Sequence, residues 1–172
     1  MLKNLNYSQK YEPVRKFFLR DPKRLLLLKI IYKSVPLAIA AVYLLIAVWL
    51  LVHKDDRLII FAAVPCGVFI AVSIIRKALN RKRPYEGSGA IIPLIVKDKT
   101  GQSFPSRHAL SAALAASFCM IINIYVGLAV MVMSFIVAVT RVLAGVHYPS
   151  DVIAGLITGY AAGGITAVIW LL

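Results

Sequence analysis

The chain has 172 residues, of which 60% are hydrophobic and only 16% are charged, whereas soluble domains average roughly 45–50% apolar and about 25% charged residues. This composition excludes an ordinary soluble domain and indicates an all-α protein, a polytopic membrane helical bundle. The 20 Lys and Arg against 7 Asp and Glu would suggest nucleic acid in a soluble protein. Here the apolar stretches make the bilayer the expected partner, and no nucleic-acid partner is expected.

Residues 1–33 form a basic N-terminal segment. It lacks a short apolar core followed by a cleavage site, so we expect no cleaved signal peptide. Asp21-Pro22 has the form of a helix start, with Asp as the cap and Pro in the first helical position. The stretch that follows carries Lys29 in an otherwise apolar run. It predicts an interfacial amphipathic helix that leads into the first span rather than a further crossing.

Residues 34–172 are predicted to form a membrane-embedded domain with five transmembrane helices. A helix needs about 20 mostly apolar residues to cross a bilayer. One uncharged run, Ala109–Thr140, would form a helix of about 48 Å, well beyond the ~30 Å hydrocarbon core. It therefore predicts two helices that turn near Asn123–Gly127. The uncharged runs that fit one span each are Val35–Val52, Leu58–Ile75 and Val152–Leu172.

Two further features concern packing. The long loop Arg76–Gln102 contains an apolar piece, Ile91–Val96, which either re-enters the membrane or lies on it. The last span carries Gly155, Gly159 and Gly163 at four-residue spacing. This pattern favours close helix packing in lipid over a chemical role.

Three polar clusters lie at the ends of the predicted spans: Arg76–Pro84, Pro105–His108 and Thr140–Asp151. With five spans, all three clusters fall on one face of the membrane. If Ala109–Thr140 crossed only once, His108 and His147 would lie on opposite faces. The segmentation and the predicted site therefore support each other.

The clusters combine cations, two histidines and one carboxylate. Guanidinium groups bind phosphate in a forked geometry and stabilise charge on a transferring phosphoryl group, and the helix start at Pro105-Ser106 favours an anion. His108 and His147 can divide the work of nucleophile and general acid. Asp151, four residues after His147, is placed to hold its ring in one tautomer. The sequence has no carboxylate cluster for Mg²⁺, no His/Cys set for zinc and no CxxC pair, so it predicts phosphoryl transfer without a metal or cofactor.

These clusters resemble the three motifs of the type-2 phosphatidic acid phosphatase family, which is related to bacterial acid phosphatases and vanadium haloperoxidases. The family patterns are Lys-x6-Arg-Pro, Pro-Ser-Gly-His and Ser-Arg-x5-His-x3-Asp. Each is weak alone, but three in order at span ends are specific. The resemblance covers the motif core, about residues 76–155. The matching residues are Arg76-x6-Arg83-Pro84, Pro105-Ser106-Arg107-His108 and Thr140-Arg141-x5-His147-x3-Asp151.

The resemblance implies a membrane lipid-phosphate phosphatase and a role for each matching residue. His147 would attack phosphorus and form a phosphohistidine, oriented by Asp151. His108 would protonate the leaving oxygen and then activate water. The residues that would bind the substrate phosphate are Arg76, Arg83, Ser106, Arg107 and Arg141.

Three positions depart from the family pattern. Arg76 replaces a Lys and keeps its charge but not its shape, and Thr140 replaces a Ser and keeps the hydroxyl. Arg107 replaces a Gly, where it would either crowd the site or contact a second phosphate. No catalytic group is lost. By contrast, the neighbouring cations are interpreted as charges at the lipid headgroups rather than phosphate ligands; these are Lys77, Arg81 and Lys82.

The expected substrate is a phospholipid or polyprenyl phosphate of the plasma membrane, such as phosphatidic acid, phosphatidylglycerophosphate or undecaprenyl mono- or diphosphate. The sequence does not choose among these lipids, nor does it give an oligomeric state. Eighteen of the 20 Lys and Arg fall on the face of the N-terminus and the clusters, so the positive-inside rule predicts that the N-terminus and the active site are cytoplasmic.

Two non-enzymatic alternatives stay open. A transporter-like protein would also carry charged groups near membrane helices, although the sequence has no inverted repeat and no charge within a span. A phospholipid-binding protein of the membrane surface would explain the basic charge, but not the His-x3-Asp arrangement.

Overall fold

The structure is a computed structural model that describes residues 2–87 and 89–171, with side chains described from residue 7 to residue 169. The described residues form six helices and no strand, so the all-helical class is confirmed. Helices α2, α3, α5 and α6 are long and apolar enough to cross a membrane, which makes this a multi-pass membrane protein. The helices are α1 (Leu2–Leu19), α2 (Pro22–Val52), α3 (Arg57–Leu79), α4 (Arg107–Ile122), α5 (Ile124–Leu143) and α6 (Pro149–Leu171).

The predicted helix start at Asp21-Pro22 is confirmed. The Asp21 Oδ1 atom accepts the N–H of Lys23 at 2.9 Å, and Pro22 takes the first helical position. No break follows, because α2 runs without interruption to Val52 and joins the predicted interfacial segment to the first span. The sequence did not predict α1, whose residues are mostly polar and are interrupted by Pro13.

The long uncharged run divides at Asn123, within the predicted turn. The backbone of Asn123 is extended and ends α4, and its Oδ1 atom accepts the N–H groups of Tyr125 and Val126 at 3.0 and 3.1 Å to begin α5. Gly127 packs against Met120, where a Cβ atom would lie only 2.2 Å away. Helices α4 and α5 therefore form an antiparallel pair. Because α4 has 16 residues, or about 24 Å, the fifth span stays a prediction.

Helix α4 lies at the centre of the bundle. Nine of its 16 residues are buried, and α5 and α6 pack against it. The glycines of α6 line this contact: a Cβ atom at Gly155 or Gly159 would lie 2.6 Å from a carbonyl oxygen of the chain at the start of α4, and one at Gly163 would lie 2.2 Å from Ser117 Cβ. The predicted packing role of these glycines is confirmed. Their small size brings the first turns of α4 and α6 together.

The loop between α3 and α4 packs against the link between α5 and α6. Ile91 and Leu94 are buried, and the N–H groups of Leu94 and Ile95 donate to the carbonyl of Ala144 at 3.1 and 3.4 Å. The sequence left open whether this apolar piece re-enters or lies on the membrane. In the structure it covers residues 144–148, the link that carries His147.

Candidate active site

Backbone contacts join the three polar clusters. The Arg76 guanidinium, at the end of α3, donates to the carbonyl of Ser103 at 3.3 Å and also to that of Pro105. The N–H of Ser106 donates to the carbonyl of Asp151 at 2.8 Å. The end of α3, the start of α4 and the start of α6 therefore meet at one end of the bundle, as the segmentation predicted.

Arg83 lies at the centre of this end. Its side chain is only 6% exposed, its Nε atom donates to the carbonyl of Gly101 at 3.0 Å, and its Nη1 atom reaches the carbonyl of Val146 at 3.5 Å. The guanidinium thus connects the loop before α4 to the residue that precedes His147.

His147 is buried, and its Nδ1 atom faces two oxygen atoms. It lies 3.4 Å from Asp151 Oδ2 and 3.3 Å from Ser103 Oγ, both longer than a strong hydrogen bond. The short contact is between the oxygens: Ser103 Oγ donates to Asp151 Oδ2 at 2.5 Å. Asp151 therefore orients the ring together with Ser103, a residue that the sequence analysis missed. With Nδ1 facing the carboxylate, the Nε2 atom carries the free lone pair.

Asp151 is fully buried, and a buried carboxylate needs charge and hydrogen-bond partners. Arg81 Nη1 donates to its Oδ1 at 2.7 Å, and the N–H of Tyr148 donates to its Oδ2 at 3.0 Å. The sequence analysis interpreted Arg81 as a charge at the lipid headgroups, but the structure pairs it with the buried Asp151, although the Arg81 side chain stays 40% exposed. It neutralises Asp151, and only the tertiary fold brings the two residues together.

The surroundings of His147 favour its neutral form. Burial lowers the pKa of His147 below its ordinary value, because the charged imidazolium loses its hydration. The hydrogen bond to Asp151 opposes this change, while the positive charges of Arg83 and Arg76 add to it. A neutral imidazole has the lone pair that a nucleophile requires.

Among the described residues, four buried side-chain polar atoms have no hydrogen-bond partner. They are Arg76 Nε, Ser106 Oγ, Arg141 Nε and the Tyr7 hydroxyl. An unpaired buried polar group costs about 1–3 kcal/mol, so such groups are rare unless they bind something. Three of the four belong to residues that the sequence predicts to bind phosphate.

Arg141 is held in place by an aromatic ring. Its guanidinium carbon lies 3.7 Å from the ring centre of Tyr32, and its Nη2 atom donates to the Tyr32 carbonyl at 3.4 Å. Stacking fixes the plane of the guanidinium and leaves its edge available for an anion. Tyr32 of α2 is therefore a further residue of the site that the motifs did not contain.

A cavity of about 760 Å³ lies between α2, α3 and α4. Arg107 and His108 line it beside apolar residues, and His108 is exposed to it. The Arg107 side chain makes no hydrogen bond or ion pair with any described residue, and its guanidinium carbon lies 5.6 Å from the ring centre of Phe69. The apolar lining includes Pro36, Ile39, Tyr43, Leu44, Pro65, Phe69, Ile70, Leu114 and Ala115.

The donor groups of this end are those of an anion site. In the part of the chain that the structure describes, no three His, Cys, Asp or Glu residues lie close enough together to hold a metal ion. The arrangement offers instead several guanidinium groups, a hydroxyl, a free imidazole nitrogen and a second histidine.

A family model, the PAP2 superfamily, matches residues 57–171. This chain belongs to the PAP2 superfamily. The match extends from the start of α3 to the end of α6, so it includes all three motifs and leaves α1 and α2 outside.

Curated proteins that are similar in sequence include a phosphatase. The chain is 36% identical over 103 residues to the decaprenylphosphoryl-5-phosphoribose phosphatase of Mycobacterium tuberculosis. The aligned region covers 58% of this chain and 55% of the relative. The chain therefore spans about half the length of this curated relative.

Two solved structures share the fold. The crystal structure of Aquifex aeolicus LpxE has a TM-score of 0.70 at 20% identity, covering 90% of this chain and 93% of that chain. The crystal structure of the transmembrane PAP2 type phosphatidylglycerolphosphate phosphatase from Bacillus subtilis has a TM-score of 0.64 at 21% identity. The match covers 95% of this chain and 88% of that chain. At these identities the likeness establishes the PAP2 fold alone.

Proposed function

We propose that this protein is an integral membrane phosphatase that removes a terminal phosphate from a phospholipid or polyprenyl phosphate without a metal. The observation that carries the proposal is the set of unpaired buried atoms on Arg76, Ser106 and Arg141. A phosphate bound among these residues would supply acceptors for all three. The relative and the solved structure described above are named as phosphatases of phosphate-bearing lipids, which supports the same class of substrate.

In the first step, the lone pair of His147 Nε2 attacks phosphorus and the bond from phosphorus to the lipid oxygen breaks. His108 in its protonated form donates a proton to that oxygen, the lipid alcohol leaves, and His108 becomes neutral. The guanidinium groups of Arg76, Arg83 and Arg141 stabilise the charge on the transferring phosphoryl group. Asp151 and Ser103 hold the His147 ring during the attack.

In the second step, the neutral His108 takes a proton from water, and the oxygen of that water attacks the phosphohistidine. The bond from phosphorus to Nε2 breaks, which returns His147 to its starting form and releases inorganic phosphate. No metal enters either step, so metal independence is part of the proposal.

The apolar cavity would hold the lipid chain. It is lined by α2, α3 and α4, and His108 lies at its polar end, where the leaving oxygen must be. Arg107 lines the same cavity, so we place it on the leaving-group side, in contact with a second phosphate nearest the lipid.

The membrane arrangement that we propose has five spans, formed by α2 to α6. Helix α2 has 31 residues, or about 46 Å, so roughly ten of them extend beyond a ~30 Å core. These residues lie at the start of α2, within the predicted interfacial segment and the N-terminal region 1–33. The N-terminus and the active site would face the cytoplasm.

Phosphate release from purified, detergent-solubilised protein tests the proposal. The panel is phosphatidic acid, phosphatidylglycerophosphate, and undecaprenyl mono- and diphosphate, with His147→Ala as the inactive control. We expect release that EDTA leaves intact and vanadate abolishes, because five-coordinate vanadate resembles the transferring phosphoryl group. Loss with EDTA and recovery with Mg²⁺ would refute the metal-free mechanism.

Arg107→Gly tests the position of Arg107. This variant should lose activity selectively on undecaprenyl diphosphate. Equal loss on the undecaprenyl mono- and diphosphate would place Arg107 elsewhere.

A further inference from the structure

Helix α1 contacts the candidate active site although it lies outside the part of the chain that the family model matches. Its contacts come from Tyr7 and Tyr11, which are four residues apart and so share one face of the helix. Their rings stack with centres 6.3 Å apart. Neither tyrosine belongs to a motif that the sequence analysis identified.

Tyr11 holds the beginning of the link that carries His147. Its side chain is buried, and its hydroxyl donates to the carbonyl of Leu143, the last residue of α5, at 2.9 Å. Gly145 lies directly beneath this ring: its φ is +75°, and a Cβ atom there would lie 2.7 Å from the Tyr11 hydroxyl. Gly145 is therefore required both for the turn of the link and for the close approach of Tyr11.

Tyr7 contacts the end of the same link. Its ring meets the ring of Tyr148 edge-on, with centres 4.9 Å apart. The guanidinium of Arg81 lies 4.7 Å from the centre of the Tyr148 ring, and the N–H of Tyr148 donates to Asp151. The contact from α1 thus reaches the carboxylate that orients His147.

We infer that α1 is a positioning element of the enzyme, in which Tyr11 and Tyr7 hold the two ends of the link 144–148 and keep His147 Nε2 aimed at phosphorus. The inference rests on the proposed function. Neither tyrosine touches the reacting atoms. Their effect is on the rate at which His147 attacks, and this distinguishes them from residues that bind substrate.

The test compares Tyr11→Phe, which removes only the hydroxyl, with Tyr125→Phe, an 80% exposed tyrosine at the opposite end of the bundle. Loss of one hydrogen bond that positions the nucleophile should lower kcat by about five- to tenfold. The fall should be equal on a lipid phosphate and on p-nitrophenyl phosphate, because the nucleophile attacks in both. KM and the thermal midpoint in detergent should match those of Tyr125→Phe.

A second pair of variants tests the other contact. Tyr7→Ala removes the ring edge from Tyr148 and should lower kcat as Tyr11→Phe does, whereas Tyr7→Phe keeps the ring and should retain most of the rate. Wild-type kcat in Tyr11→Phe, or a loss confined to KM or explained by unfolding, would overturn the inference. Absence of phosphate release from the wild type and Tyr125→Phe would instead show that the proposed function is wrong.

Discussion

His147 and His108 lie in different environments, and the difference matches a division of labour. His147 is buried beside a carboxylate and a hydroxyl, with one ring nitrogen held and the other free. His108 is exposed to the apolar cavity, on the side where the lipid would leave. The spacing of the motifs predicted the pair, but only the fold shows that the two histidines lie in different surroundings.

Ser103→Ala removes the 2.5 Å hydrogen bond to Asp151 and the contact to His147 Nδ1. Hydrogen bonds to charged groups are worth about 1.5–3 kcal/mol, so we expect kcat to fall about tenfold or more. Ser103→Thr keeps the hydroxyl and should retain most of the activity. Steady-state rates on one lipid substrate measure both. A Ser103→Ala enzyme with wild-type kcat would show that Asp151 alone orients the ring.

The protonation of His147 gives a second test. Because burial disfavours the charged ring, its pKa is lowered from the ordinary value of about 6.5. His147 should therefore be neutral and nucleophilic at neutral pH and should protonate only below that value. An NMR titration of protein with labelled histidine, with His147→Ala to assign the signal, measures this pKa. A pKa above about 6.5 would contradict the described environment.

The motif residues could be predicted because their spacing along the chain carries the information. His147 and Asp151 are four positions apart in the sequence, and Arg76 and Arg83 flank one helix end. Ser103 and Arg81 could not be predicted. Each acts through a contact with Asp151, separated by about fifty or seventy positions in sequence, and neither belongs to a periodic pattern.

At the scale of helices, the capping residues in the sequence predicted where helices begin, but the sequence did not predict that α2 is continuous. Asp21 and Asn123 both cap a helix with their own side chains, so their positions were visible in the sequence. The continuity of α2 from the interfacial segment into the first span was not visible in the sequence. Lys29 suggested a boundary there, but its side chain is exposed and does not interrupt the helix. Helix α1 escaped prediction because the contacts of the buried Tyr11 and the partly buried Tyr7 are a tertiary feature.

Gly159→Ala tests the contact between α4 and α6. The new Cβ atom would lie 2.6 Å from the backbone carbonyl of Leu110, and overpacking of this kind costs about 1–3 kcal/mol. The matched control is Gly164→Ala on the same helix, where nothing lies within 4 Å and a slight gain is expected. Thermal unfolding in detergent compares them. Equal midpoints would show that α6 does not pack on α4 through this glycine.

For the whole molecule, the distribution of charge predicts orientation. In a variant without Cys66 and Cys119, Thr100→Cys places a single thiol in the exposed loop of the active-site end, and Asp56→Cys places one at the opposite end. An impermeant thiol reagent applied to whole cells should modify Asp56→Cys alone, and lysis should expose Thr100→Cys. Modification of Thr100→Cys in intact cells would place the active site outside.

The phosphohistidine on His147 is the central claim, and its accumulation in His108→Ala is the most direct test. p-Nitrophenolate leaves with little help from an acid, whereas a lipid alkoxide depends on general acid catalysis worth about 10²–10⁴-fold. His108→Ala should therefore fail on the lipid but still form an acid-sensitive phosphoenzyme from p-nitrophenyl phosphate, which accumulates because the base for water is absent. His147→Ala should form none. A phosphoenzyme trapped in His147→Ala, or equal loss on both substrates in His108→Ala, would contradict the account.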